Sequence, residues 1–149
     1  MSEVYIDADA CPVKAEAYRI ASRHGLLVRV VANHWMTMPN DPMIRLEVVD
    51  DGFDAADDWI AERAGPGDVV ITDDIPLAQR CLQRGAAVLT NRGEERSQAS
   101  IGEAMAMREL MQYVREAGGE SGGQKPMGDP ERRRFCATLE RLLVAAQRG

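Results

Sequence analysis

The sequence predicts an α/β domain of the doubly wound class, and three observations carry that prediction. Short β-branched runs alternate with helix-length amphipathic segments through residues 1–117. Two of those runs, Leu26–Ala32 and Asp68–Thr72, are apolar almost throughout, as strands covered on both faces are. Glycine turns at Gly25, Gly65–Asp68 and Gly85 punctuate the alternation. The pattern implies a parallel sheet with right-handed crossovers and helices on both faces, and the expected form is five-stranded, order 3-2-1-4-5.

The first strand is EVYID, Glu3–Asp7. Pro12 then opens a helical pattern that places Val13, Ala17, Ile20 and Ala21 on one face until Gly25 stops it. Leu26–Ala32 is the second strand and Ile44–Asp50 the third, separated by a polar, proline-containing loop over Asn33–Met43. A helix beginning near Asp54 buries Ala56, Trp59 and Ile60. After the GPGD turn comes the fourth strand, Asp68–Thr72, then a helix marked by Leu77, Ala78, Cys81 and Leu82. Ala86–Thr90 is the fifth strand. Helical spacing returns with Ile101, Ala104, Met105, Met107, Leu110, Met111 and Val114. Residues 118–129 read as a flexible linker, and 130–147 as a last helix with a Phe135, Leu139, Leu142, Leu143, Ala146 stripe. An isolated helix of that length is marginal, so it should dock on the domain.

A chain of 149 residues fits one domain with one core. Only seven aromatics are present, so aliphatic packing must dominate the interior. No run approaches the roughly 20 apolar residues of a membrane span, and MSEVYIDADA has neither the basic nor the apolar region of a signal peptide. Cys11, Cys81 and Cys136 are odd in number and far apart, which disfavours a disulfide framework and fits the reducing cytoplasm. The net charge of −6 is uneven. Residues 1–107 carry ten basic and eighteen acidic groups, residues 108–149 eight and six. This distribution argues against tight, metal-free binding of nucleic acid.

In doubly wound sheets ligands bind outside the carboxyl ends of the strands, where the strand order reverses. Here those ends terminate in acid: Asp7-Ala-Asp9 after the first strand, Asp50 to Asp54 after the third, Thr72-Asp73-Asp74 after the fourth. In the order 3-2-1-4-5 the first and fourth strands are neighbours, so Asp7, Asp9 and Asp74 converge and Asp54 closes the cluster. Carboxylates that close repel unless a cation intervenes, and Mg²⁺ or Mn²⁺ is the expected resident. The bland reading is that Asp54 and Asp74 cap helices, at even odds with a ligand role. Asp50, Asp51, Asp57, Asp58 and Asp73 read as solvated or as acids complementing a helix dipole. Asp7, ending a buried strand, has little structural use. Lys14, Asn33 and Arg92 are candidates for contact with substrate, and His34 follows Asn33 at the same edge. Gly122-Gly123 lacks a phosphate-loop context. Arg132, Arg133 and Arg134 stand near a helix N-terminus, where solvated charge is the default.

The segments IDADACPVK, VANHW, GFDAADDWI, VVITDDIPLAQRCLQRGAAVLTNRG and the SGG-to-RRRF region resemble the bacterial YaiI/YqxD family across essentially the whole chain. That family is related to PIN and NYN domain ribonucleases. The resemblance implies a PIN-like fold and metal-dependent cleavage of single-stranded RNA or another phosphodiester. Their recurrent acids match Asp7, Asp54 and Asp74, and Thr72 matches the hydroxyl that orients the last of these. A fourth acid is expected near the end of the fifth strand, where Asn91 and Arg92 stand instead.

Two other functions compete. A haloacid-dehalogenase-type phosphatase would use Asp7 as nucleophile and Asp9 as general acid. It lacks the usual Thr or Val at Cys11, and Lys14 and Lys125 are the only lysines available to it. A non-catalytic module binding RNA or protein is the third reading. Single-stranded RNA is the expected partner, a membrane is not, and a homodimer is admissible.

Overall fold

The central strand of the sheet is the first in sequence, β1 (Glu3–Asp7). The computed structural model describes residues 2–50, 52, 54–119 and 126–148. β1 pairs in parallel with β2 (Leu27–Ala32) on one side and β4 (Val69–Ile71) on the other. β3 (Ile44–Val48) extends the sheet beyond β2, and β5 (Ala87–Leu89) beyond β4. Those five strands stand in the order 3-2-1-4-5. A sixth, β6 (Glu95–Arg96), adds antiparallel to β5. The sheet is therefore mixed and six-stranded, a correction to the five-stranded parallel sheet read from sequence. Two residues are too short to show any periodicity. The turn that returns them is specified by Thr90, whose hydroxyl accepts from the N–H of Glu94 at 3.0 Å, and by Gly93 at φ +86°.

Strand side chains alternate between two cores, and the helices divide accordingly. Val4, Ile6, Val28, Val30, Val69, Ile71 and Leu89 face one core with α1 (Lys14–Arg23) and α5 (Asp129–Arg148). Tyr5, Val31, Val70 and Val88 face the other with α2 (Ala55–Arg63), α3 (Ile75–Gln83) and the start of α4 (Gln98–Glu116). The last helix docks as its stripe requires, with Phe135, Leu139, Leu142 and Leu143 buried. Arg132 pins its first turn to α1, donating to Glu16 at 2.7 Å and to the Pro12 carbonyl at 3.0 Å. That explains one arginine of the triplet as a structural contact. Gly93 lies against the α5 backbone so closely that a Cβ there would fall 2.6 Å from the Phe135 nitrogen.

The α4 stripe behaves differently. Ile101 is buried, but Met107, Leu110, Met111 and Tyr113 are exposed, because only the start of the helix, at Ile101 and Ala104, packs into the core beside α3. Of the expected linker, Gly118 and Gly119 follow α4 and Asp129 already belongs to α5. Gly122-Gly123 and Lys125 lie outside the described residues, as does Asp51. Among the described residues no helix is long and apolar enough to cross a membrane, and the three thiols are free.

Candidate functional site

A cavity of about 670 Å³ opens at the carboxyl ends of the strands, between β1 and β4, where the strand order reverses. Its polar lining is Asp7, Asp9, Asn33, Asp54, Asp57, Asp73, Asp74 and Asn91. Short stretches of chain deliver these groups. Asp7 is the last residue of β1, and a single 3-10 turn (Ala8–Ala10) follows it and carries Asp9. Asn33 follows β2, Asp73 and Asp74 link β4 to α3, and Asn91 follows β5. Asp54 and Asp57 come from the start of α2.

Hydrogen bonds fix most of the carboxylates. Thr72, nearly fully buried, donates its hydroxyl to Asp7 Oδ2 at 2.8 Å and accepts the N–H of Asp74 at 2.9 Å. Asp74 caps α3, its Oδ1 accepting from the Leu77 N–H at 2.9 Å. Asp9 accepts the Asn33 N–H at 3.2 and 3.3 Å, and the exposed His34 ring lies 3.9 Å away. Asp73 accepts the Asn91 N–H at 2.9 Å. Asp54 occupies the N-cap position of α2 without making a cap bond. Its φ of +65° is the sole left-handed value among the described non-glycine residues. Asp tolerates that conformation better than most side chains.

The electrostatics follow from crowding. Burial lifts the Asp7 carboxyl above its ordinary range, and the charges of Asp74, Asp9 and Asp73 add to it; only the Thr72 hydroxyl opposes. Asp57 is pushed up to about 7, first by burial, then by the charges of Asp74, Asp7 and Asp54. A hydrogen bond to Asp74 adds to the same rise.

Of the residues singled out from sequence, Asp7, Asp9, Asp54, Asp74 and Asn33 line the cavity together. Lys14 and Arg92 do not. The Lys14 ammonium is turned onto the carbonyls of Cys11 at 2.9 Å and Ala8 at 3.5 Å, and Arg92 lies 3.9 Å from Glu131 on α5. Both cations have protein partners near at hand, which is why neither reaches into the cavity. The Thr72 hydroxyl bonds Asp74 through that residue's main-chain N–H and donates to the Asp7 carboxylate as well. Sequence reasoning missed Asp57 and Asp73 and set them aside as solvated acids. The spacing of Asp54 and Asp57, three residues apart and so on one helix face, was the available signal for the first.

In donor type the lining fits a hard cation: its side-chain donors are carboxylate and amide oxygens, with no sulfur or imidazole among them. Two buried amide oxygens, Asn33 Oδ1 and Asn91 Oδ1, have no hydrogen-bond partner. In spacing the fit is looser. Among the described residues no three His, Cys, Asp or Glu side chains form a group that could hold a metal ion.

The chain matches, over residues 5–145, the model of the family described as "Uncharacterized BCR, YaiI/YqxD family". A UPF0178 protein of Rhodopseudomonas palustris (strain BisB18) is 50% identical, over 99% of this chain and 96% of its own length. One from Parvibaculum lavamentivorans is 51% identical, over 99% and 97%. Another, from Caulobacter vibrioides, is 47% identical over 100% and 97%. No solved structure gives a significant match. With the family model and its relatives spanning nearly every residue, from the Asp7 edge to the docked last helix, the chain belongs to the YaiI/YqxD family.

Proposed function

We propose that this protein is a PIN-like, divalent-metal-dependent phosphodiesterase of the cytoplasm that acts on single-stranded RNA. The observation that carries the reading is the convergence of six aspartates on one cavity at the sheet's switch point, with Asp7 and Asp57 both forced toward protonation. Like charges about 4 Å apart repel by roughly 4 kcal/mol at an effective dielectric near 20, so the cluster favours a cation. Mg²⁺ or Mn²⁺, when bound, would supply neutralisation of the phosphate and an activated water.

Each residue has a definite task. Asp7, Asp9, Asp54 and Asp74 would hold the ion, and Thr72 keeps the Asp7 oxygens aimed while anchoring the turn that bears Asp74. The Leu77 N–H occupies one Asp74 oxygen and fixes the carboxylate at the start of α3. Asp57, holding a proton near pH 7, is placed to release it as the ion binds. A phosphate would meet no lysine or arginine in the described lining, so its charge must be met by the ion alone. That predicts strict metal dependence and slow turnover.

The test is purified protein on labelled single-stranded RNA with Mn²⁺, beside an Asp7→Asn control. Slow cleavage by the wild type that disappears in the mutant is expected. Cleavage that survives in the mutant identifies a contaminant. A wild type that binds the ion and never cuts identifies a non-catalytic module.

A further inference from the structure

We propose that β3 is an interface strand: two copies of this chain pair antiparallel along it, about a two-fold axis at Leu46, and join their six-stranded sheets into one of twelve.

The two edges of the sheet are unlike. At one, β6 has only two residues, and Arg141 from α5 closes over it with a 2.7 Å bond to Glu95. At the other, β3 has five residues, IRLEV, in unbroken register with β2. It carries none of the lysine, proline or bulge that commonly blunts an edge.

The main chain of β3 is open along its outer side. The Val28 N–H donates to the Met43 carbonyl, and the Val49 N–H to the Ala32 carbonyl. Alternate residues of a parallel strand face its neighbour, so Arg45 and Glu47 direct their main-chain groups to β2 while Ile44, Leu46 and Val48 turn theirs outward. The Ile44 N–H bends back to the Asp41 carbonyl at 3.0 Å. The outward N–H and C=O of Leu46 and Val48 have no partner among the described residues.

The sequence of β3 then selects what pairs with it. With the axis at Leu46, that residue meets its own copy and Val48 meets the other copy's Ile44. These three positions carry the outward groups, so they form the hydrogen-bonded pairs of an antiparallel ladder. Leu46 exchanges two bonds with its copy, and each Val48 N–H reaches the opposite Ile44 carbonyl. Arg45 falls opposite Glu47 at both ends, where opposite charges attract. Both side chains have atoms to give. Arg45 uses its Nε on the Pro42 carbonyl and keeps its two terminal nitrogens, and Glu47 accepts from Arg29 through Oε1 and keeps Oε2. Parallel pairing in register would instead set Arg45 against Arg45 and Glu47 against Glu47. A foreign strand would have to bring the reversed pattern, and a second copy already has it. The contact also covers Val48, 52% exposed, and Met43, 40% exposed.

Five residues a side make a small interface, so the dimer is weak and depends on concentration. Sedimentation equilibrium of the full chain reads it. The wild-type mass should climb from 16.4 kDa toward twice that value as the concentration approaches about 1 mM. Val48→Pro removes an outward N–H that β2 does not use, so the variant should fold and stay monomeric. Arg45→Glu sets acid against acid at both ends and should weaken association about tenfold. Adding Glu47→Arg to it reverses both charges and should restore the wild-type affinity. If circular dichroism shows Val48→Pro unfolded, the charge variants decide alone. A wild type that is monomeric throughout, a dimer that survives Val48→Pro or Arg45→Glu undiminished, or a double variant no tighter than Arg45→Glu would overturn the proposal.

Discussion

Replacing Asp57 by Asn should stabilise the metal-free protein, by an amount that grows above about pH 4 and is complete above about pH 7. The carboxyl is raised from 3.8 to about 7 by burial and by Asp74, Asp7 and Asp54. Between those values the folded state keeps a proton that the unfolded state has lost. The stability this group contributes is thus fully present below about pH 4 and is lost as pH rises through about 7. At about 1.4 kcal/mol per pH unit, the interval amounts to roughly 4 kcal/mol for a fully buried group. Asp57 is half-buried, and solvent screening reduces this to about 1–2 kcal/mol. Asn cannot ionise, and its amide can still donate to Asp74. In EDTA at pH 8 the variant should melt about 3–6 °C above the wild type, given the stability-to-Tm scaling of domains this size. At pH 4 the two should coincide. An advantage of equal size at both pH values, or a variant less stable at pH 8, would refute the account of burial and mutual repulsion. Saturating Mg²⁺ or Mn²⁺ should shrink the difference, because the ion relieves the same repulsion.

Two further substitutions probe the supports of the site and of the fold. Thr72→Val preserves shape but removes the bonds to Asp7 and to the Asp74 N–H. It should cost about 1–3 kcal/mol and raise the Asp7 carboxyl still higher, read from the Asp7 carboxyl carbon resonance against pH; an unmoved titration would break the link between the two residues. Gly93→Ala combines a φ of +86° with a Cβ 2.6 Å from α5 backbone atoms. A loss of about 2–4 kcal/mol is expected, with faster amide exchange along α5 than in β1, and unchanged α5 protection would show that the helix does not depend on that approach.

Much of this was legible in the linear sequence because strands and cores are written locally. Val4 and Ile6 against Tyr5, or Val69 and Ile71 against Val70, alternate in sequence as they do between the two cores. Parallel pairing followed from the alternation, and with the expected order 3-2-1-4-5 the acids at the ends of the first and fourth strands had to meet. What escaped were facts that exist only through space. The exposed end of α4 carries the same helical spacing as its buried start, and only packing beside α3 distinguishes Ile101 from Met107. Lys14 and Arg92 sit close in sequence to the acids, yet local carbonyls and Glu131 draw them aside. Asp57 counted as a helix-dipole acid until Asp74, from another segment, was found beside it.

The docking of α5 has a consequence for how the molecule comes into being. One face of the central strand, with Val4 and Ile6, shares its core with Phe135, Leu139 and Leu143, and Arg132 closes on Glu16 across 116 positions of chain. A ribosome adds about 5–20 residues per second, so that face lacks its α5 cover for many seconds after it has emerged. During this interval α1 alone can cover that side, while α2, α3 and the start of α4 cover the other. The nascent chain therefore presents a wide apolar surface of strands, the kind that chaperones hold and proteases find. Ribosome-bound chains halted at Gly119 should be cut far faster than chains carried through Arg148 and clear of the tunnel; equal resistance would mean that α1 and the sheet hold together before the last helix arrives.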